Sequence, residues 1–316
     1  MSAHLKVKGA DLWVLGNLTI DDLVFWDGRT SMGLCGGNAI FAALGARLWS
    51  ADVGLAARVG PDYPEEHLLA LESAGVTLAL SRVTAPSIHN WGLYETHDRR
   101  QFVNWLESGS YLEQSLLPPE LPVAARRAHV CHVAPMPLVV QAQLVRYLAD
   151  AGVLVSLDPH EGYIPGAEGV LLDLLGCVGL FLPSRREAAL LFGRDAPEEA
   201  ARAFAKCGPR AVAIKLGAEG SLICEAGQGT VRHVPAVPVQ AVDPTGAGDA
   251  YCGGFALVYG RGADPLEAAC RATVSASFVV ERWGAMPVLP LDSAMAEHRL
   301  AGLLEATGRM TARRDA

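Results

Sequence analysis

Short apolar runs that end abruptly in Gly, Pro or a polar residue recur along this chain, and helical patterns separate them. Because strands that alternate with helices form parallel sheets, this order predicts an α/β fold. The polar residues after each run are expected at the carboxyl edge of the sheet, where ligands bind. The runs end at about Leu15, Val133, Leu157, Leu182, Leu216 and Val242.

The bulk composition bounds the class of protein. The chain has 316 residues, 51% of them hydrophobic, which is enough to bury one large core. We expect a single domain over 1–316, because no repeat or linker interrupts the pattern. Lys and Arg total 26 against 34 Asp and Glu, so the formal charge is −8, and no long basic run indicates a nucleic-acid partner.

Cysteine usage and hydropathy indicate the compartment. The seven cysteines form no CxxC pair, and the sequence shows neither a signal peptide nor a membrane span. We therefore expect a cytoplasmic protein with reduced thiols and no membrane partner.

Two segments depart from the alternation of strands and helices. Residues 17–33 and 87–105 are rich in aromatic β-formers, and a polar turn at His97–Arg100 divides the second. The two segments predict a small sheet that stands off the main body. A lid over a cleft, a dimer clasp and ordinary surface hairpins remain open as its role.

The stretch "AVDPTGAGDAYCGGF" (241–255) carries the clearest chemical pattern. Gly246, Ala247 and Gly248 open a predicted helix, where free amides and the helix dipole form a site for an anion. The carboxylate of Asp249 beside them can accept a proton from an alcohol while the amides stabilise a transferring phosphoryl group. A simple glycine turn before an acid is the alternative. Gly253 and Gly254 cost this helix about 1 kcal/mol each relative to alanine, which indicates a close neighbour.

Other nucleotide motifs are missing from the sequence. No GxxxxGK[ST] and no GxGxxG after a strand occurs, so neither a P-loop nor a dinucleotide site is expected. Hydride transfer on a dinucleotide fold is therefore disfavoured.

"DPTGAGDAYCGGF" resembles the D-x-T-G-A-G-D-x-F-x-x-G-F signature of the ribokinase-like (PfkB) carbohydrate kinases, with Tyr251 in place of Phe. The resemblance extends over residues 11–290. It implies a three-layer αβα sandwich with a mainly parallel central sheet and a small β lid. It also implies transfer of a phosphoryl group from ATP, with Mg²⁺, to a hydroxyl of a sugar, sugar acid, inositol-type polyol or nucleoside. Stimulation by K⁺ at Asp243 follows from the same resemblance, whereas pairing of the two lid segments suggests a homodimer through the lid.

The resemblance also suggests which residues bind the acceptor. Asp21 in "GNLTIDD" would bind substrate hydroxyls, and Gly36, Gly37 and Asn38 in "CGGN" would contact the substrate. Asp158 would lie near the substrate or the phosphates, and His160, two residues on, is a further candidate. A solvated turn acid at Asp21, a helix cap at Asn38 and a turn at Asp158 are the alternatives.

On the nucleotide side, the family's Asn-x-x-Glu motif corresponds to Ser184–Glu187. Glu187 would handle Mg²⁺ through water, although Ser184 replaces the usual Asn. Lys215, Gly217 and Gly220 would flank ATP. A surface acid and a solvated lysine are the alternatives for Glu187 and Lys215. A catalytically weak nucleotide-binding regulator on the same fold is the alternative function.

Overall fold

The computed structural model describes residues 10–96 and 99–314. Its strands are β1 (Leu12–Leu15), β2 (Thr19–Val24), β3 (Thr30–Gly36), β4 (Val53–Val59), β5 (Val76–Arg82), β6 (Ile88–Tyr94), β7 (Arg100–Asn104), β8 (Val130–Val133), β9 (Leu154–Leu157), β10 (Leu180–Phe181), β11 (Ala211–Lys215), β12 (Ser221–Glu225) and β13 (Val231–Val234). Its α-helices are α1 (Asn38–Arg47), α2 (Glu65–Ser73), α3 (Leu138–Asp150), α4 (Glu168–Leu175), α5 (Arg185–Phe192), α6 (Pro197–Ala205), α7 (Ala247–Gly260), α8 (Pro265–Val279) and α9 (Ser293–Arg314).

Nine strands form the central sheet, in the order β13-β12-β11-β10-β9-β8-β1-β4-β5. The pairs from β11 to β5 are parallel, whereas β12 is antiparallel to both of its neighbours. Leu12 and Val14 of β1 pack into a core with α1, α7 and α8, while Trp13 and Leu15 pack into a second core with α3, α4 and α6. Because successive side chains of a strand point to opposite faces, helices cover both sides of the sheet. The predicted three-layer αβα sandwich is confirmed.

A second sheet of four strands has the order β3-β2-β6-β7, and we call it the lid after its predicted role. Strands β2 and β6 pair in parallel, and an antiparallel partner lies on the outer side of each. The two segments that depart from the βα order therefore pair as predicted, and the first continues to Gly36. His97 and Asp98 of the predicted turn lie outside the described residues.

Two local predictions are wrong. The run predicted as a strand to Val242 forms no strand, because the chain from 235 to 245 is a loop between β13 and α7. Pro235 and Pro238 supply no amide hydrogen there, so the segment cannot join the sheet as a central strand. Asn38 does not cap α1, since Gly37 occupies the N-cap position. Asp264 caps α8, since its side chain accepts from the amides of Leu266 and Glu267 in the first turn.

Gly253 and Gly254 permit α7 to lie between two neighbouring helices. A Cβ on Gly253 would overlap the carbonyl oxygen of Ala42 in α1, and one on Gly254 would lie 2.7 Å from Ser275 Oγ in α8. The helix thus loses intrinsic stability but gains backbone contact on both sides, which fixes the position of its N-terminus.

We expect Gly253→Ala to lower the free energy of unfolding by about 1–3 kcal/mol, because the backbone of α1 must move to admit the methyl group. Gly302 is the matched control: it also lies within a helix, but a Cβ there would meet only open space. Gly302→Ala should therefore be neutral or raise stability by up to about 1 kcal/mol. Urea unfolding measures both, and equal effects would contradict this account of α7.

Candidate active site

A cavity of about 690 Å³ lies at the carboxyl ends of β9, β10 and β11, beside the start of α7. Asp158 directly follows β9, Ser184 lies just after β10, and Lys215 ends β11. The expectation that polar residues after the strands meet at one edge therefore holds. The predicted site residues that line this cavity are Asp158, Ser184, Glu187, Lys215, Gly217, Gly220, Ala247, Gly248 and Asp249.

The N-terminus of α7 closes one side of the cavity. Gly246 is its N-cap residue and has a left-handed backbone, with φ of 79°. A Cβ on Gly246 would overlap the ring of Phe41, so both conformation and space require glycine there. The first amides of a helix lack intrahelical acceptors, and Gly248 and Asp249 lie on the cavity wall. This geometry suits an anion.

Asp249 stands in the first turn of α7, next to these amides. Burial raises the pKa of its carboxyl to about 6, an effect that Lys215 opposes and Glu187 reinforces. A carboxylate whose pKa lies near the working pH is suited to general-base catalysis.

Lys215 and Asp158 form a buried ion pair at the cavity. Lys215 Nζ lies 2.6 Å from Asp158 Oδ2, and their side chains are 12% and 3% exposed. The Sγ of Cys252 lies 3.3 Å from each. Burial alone would lower the pKa of Lys215, but the Asp158 carboxylate raises it and keeps the ammonium charged. Burial raises the pKa of Asp158, and Lys215 opposes that rise. The charged ammonium group of Lys215 is thus held on the cavity wall.

Ser184 and Glu187 cap α5 reciprocally. Ser184 Oγ accepts from the Glu187 amide at 3.2 Å, and Glu187 Oε2 accepts from the Ser184 amide at 2.6 Å. The S-x-x-E spacing is the sequence signature of this capping box, and it accounts for serine at this position. Only Oε2 takes part in the box. Glu187 Oε1 and Asp158 Oδ1, which has no hydrogen-bond partner in the described chain, are the kind of oxygen that Mg²⁺ prefers.

Of the residues predicted for the acceptor, Asp158 lines this cavity, whereas the others lie on β2, at the end of β3 and at the start of α1. Asp21 on β2 is buried and accepts from Asn90 Nδ2 at 3.1 Å. Burial raises the pKa of Asp21 to about 6, and the Asn90 hydrogen bond opposes the rise. A Cβ on Gly36 would overlap Asp21 Oδ2, so this glycine makes room for the carboxylate. Asn38 accepts from the Asn17 amide and donates to the carbonyl of Pro135, itself a cavity residue.

Some acceptor-side residues are not evident in the sequence. Asn90 faces Asp21 across the β2–β6 pair, and Tyr111 Oη lies 3.4 Å from Asn90 Nδ2. The register of β2 against β6 brings Asn90 beside Asp21, and no motif in the sequence predicts that register.

Two further candidates lie outside the cavity lining. The ring of His160 accepts from the Gly162 amide at 3.0 Å and remains at the surface. Asp243 is 1% exposed, and its Oδ1 accepts from Tyr94 Oη at 3.0 Å and from the Thr245 amide at 2.9 Å.

Within the described residues, no helix is long and apolar enough to cross a membrane.

Comparison with known proteins gives consistent matches. The pfkB family carbohydrate kinase model matches residues 32–292. A cytidine kinase from Thermococcus kodakarensis is 34% identical over 280 residues, which cover 87% of this chain and 97% of that protein. A deoxyribokinase from Salmonella typhimurium is 27% identical over 268 residues, covering 81% and 84%. A solved E. coli protein described as a ribokinase II, in complex with ATP and Mg²⁺, superposes with a TM-score of 0.77 at 21% identity, covering 92% and 99%.

The structural likeness supports the fold, and the family match covers most of the chain. The chain belongs to the pfkB family of carbohydrate kinases, and it is a phosphotransferase whose acceptor is an alcohol group.

Proposed function

We propose that this protein transfers the γ-phosphoryl group of ATP to a hydroxyl of a nucleoside. The observation that carries the proposal is the position of Asp249, beside the N-terminal amides of α7 in one cavity with Lys215. Similarity to a cytidine kinase over nearly its whole length supports a nucleoside as the acceptor. A free sugar is the other acceptor class, in keeping with the deoxyribokinase relative.

Asp249 accepts the proton of the acceptor hydroxyl as that oxygen attacks the phosphorus. The segment Gly246–Gly248 directs amides at the transferring group and stabilises its charge without rearrangement. Lys215, kept cationic by Asp158, adds positive charge on the same wall. Phosphoryl transfer depends mainly on such positioning and electrostatics.

The donor occupies the cavity between the strand ends and the loop before α7. Ala236, Val237 and Pro238 give this wall an apolar surface suited to a base. Glu187 would hold Mg²⁺ through water, and the bound ion would offset the negative charge of the phosphates. Asp21 and Asn90 bind hydroxyls of the acceptor at the base of the lid.

An acceptor panel tests this proposal. Cytidine, adenosine, ribose, deoxyribose, inositol and gluconate are each assayed for ADP release with MgATP, with and without KCl. We expect a nucleoside to give a kcat/KM at least about tenfold above every free sugar, a preference of ~1.4 kcal/mol. Preference for a sugar would overturn the nucleoside assignment. Tight ATP binding without turnover on any acceptor would favour the regulatory alternative.

The same preparation tests two remaining proposals. A higher rate with KCl supports a monovalent cation at Asp243. The mass in solution, measured by light scattering, tests the homodimer through the lid, whose exposed apolar residues include Met32, Leu93 and Val103.

A further inference from the structure

Tyr94, the last residue of β6, connects the lid to the loop before α7. Its Oη donates to Asp243 Oδ1 at 3.0 Å and lies 3.0 Å from Thr245 Oγ1. Because the phenol has a single hydrogen, the Thr245 hydroxyl is the donor in the second bond. The Thr245 amide also donates to Asp243 Oδ1. Two bonds of the Tyr94 hydroxyl and one of the Thr245 backbone amide thus close a ring immediately before Gly246, the N-cap of α7.

The same strand also carries an acceptor-side contact. Asn90, which holds the carboxylate of Asp21, lies four residues before Tyr94 on β6. Alternate residues of a strand share a face, so Asn90 and Tyr94 point to the same side, about 13 Å apart along the strand. A displacement of β6 therefore moves the Asp21 contact and the Tyr94 contact together.

The Tyr94 ring is held firmly. Its centroid lies 5.4 Å from that of Phe25 in the lid and 5.3 Å from that of Trp283, which follows α8. The side chain is buried, and burial together with the charge of Asp243 raises its pKa well above the ordinary tyrosine value, so the hydroxyl remains protonated. Within the described chain, Asp243 has no ion-pair partner. The hydroxyl of Tyr94 is therefore a main source of stabilisation for that buried carboxylate.

We propose that Tyr94 is a positioning residue. It fixes the loop 243–248 against the lid that holds the acceptor, so that the acceptor hydroxyl is aligned with the phosphoryl group. The role rests on the proposed function. Loss of the Tyr94 hydroxyl should therefore slow phosphoryl transfer without weakening the binding of ATP or of the acceptor, because each substrate keeps its own contacts. A misplacement of about 1 Å far from the reacting atoms can cost ~100-fold in rate.

Tyr94→Phe removes the hydroxyl and keeps the ring. We expect kcat to fall about 10- to 100-fold while KM for MgATP and for the acceptor stays within about threefold. Tyr63→Phe is the matched control, because Tyr63 is equally buried and its hydroxyl lies 3.7 Å from Cys35 Sγ, away from the loop. That variant should keep the kcat of the wild type.

A double-mutant cycle with Thr245→Val separates positioning from loss of stability. If Tyr94 acts through this ring, Tyr94→Phe with Thr245→Val should lose little more kcat than the larger single change. Additive losses, an unchanged kcat in Tyr94→Phe, or a loss that follows a lowered Tm would overturn the proposal.

Hydrogen exchange gives a readout that does not depend on turnover. In Tyr94→Phe, amides of 88–94 and of 243–248 should exchange faster together, whereas those of β8 should not change. Faster exchange in only one of the two segments would overturn the coupling. An active wild type with normal Tyr94→Phe rates refutes the role of Tyr94 alone, whereas a wild type that phosphorylates nothing on the acceptor panel refutes the proposed function.

Discussion

Asp249→Asn is expected to lower kcat by about 10²- to 10⁴-fold, the usual contribution of a general base. The amide has nearly the shape of the carboxylate but cannot accept the acceptor's proton. Since the amides of α7 and Lys215 remain, the affinity for MgATP should change little. Steady-state kinetics and titration calorimetry measure the two quantities, and Asp173→Asn, at an exposed helix position, is the control. Near-normal kcat in Asp249→Asn would contradict the catalytic assignment.

The pH dependence of kcat provides a second test of the same residue. Burial raises the pKa of Asp249 to about 6, so the carboxyl takes up a proton as the pH falls through that value. The protonated form cannot act as a base, and kcat should fall about tenfold per pH unit below 6. Asp249→Asn should lack this acidic limb, and a limb of the same pKa in the variant would assign the titration to another group.

Lys215→Met is expected to lower the free energy of unfolding by about 3–5 kcal/mol, because it leaves the buried Asp158 carboxylate without its cation. Burial raises the pKa of Asp158, so the folded variant keeps a proton there, whereas the unfolded chain takes one up only near the ordinary aspartate pKa; the loss should therefore shrink as the pH falls toward about 4. Adding Asp158→Asn to Lys215→Met should restore most of the stability, since no buried charge then remains. Urea unfolding measures each variant.

Lys206→Met is the control for this series, because Lys206 is exposed at the end of α6 and should be replaceable within about 0.5 kcal/mol. A small loss in Lys215→Met, or a double variant as unstable as the single one, would contradict the account of the buried pair. Kinase activity should fall in Lys215→Met and in the double variant with Asp158→Asn, since both lose the ammonium group of the cavity.

The parts of the fold that repeat along the chain could be predicted from the sequence. Apolar runs followed by polar residues located the strand ends, and Asp158, Ser184 and Lys215 therefore meet at one edge of the sheet. The glycine pair at 253–254 predicted a close approach, which α1 and α8 provide. These features have local signals: periodicity, glycine placement and one long motif.

The parts that depend on distant neighbours could not be predicted in the same way. The segment from 235 to 245 has the apolar composition of a strand, but its prolines supply no amide hydrogens, so it forms a cavity wall instead. The ion pair of Lys215 with Asp158 joins residues 57 positions apart, on strands that are not neighbours in the sheet. The register that sets Asn90 beside Asp21 likewise follows from the assembled lid. Among these features, only the capping box at Ser184–Glu187 could have been predicted locally, from its S-x-x-E spacing.

The proposed reaction of the cavity beside α7 is the transfer of a phosphoryl group to a nucleoside hydroxyl. Mass spectrometry of cytidine incubated with MgATP and the wild-type protein tests it most directly, with ADP measured in the same sample. We expect a product heavier by one phosphoryl group, formed in equal amount to ADP and reduced by orders of magnitude in Asp249→Asn. ADP without a phosphorylated nucleoside, or equal product from the variant, would contradict it.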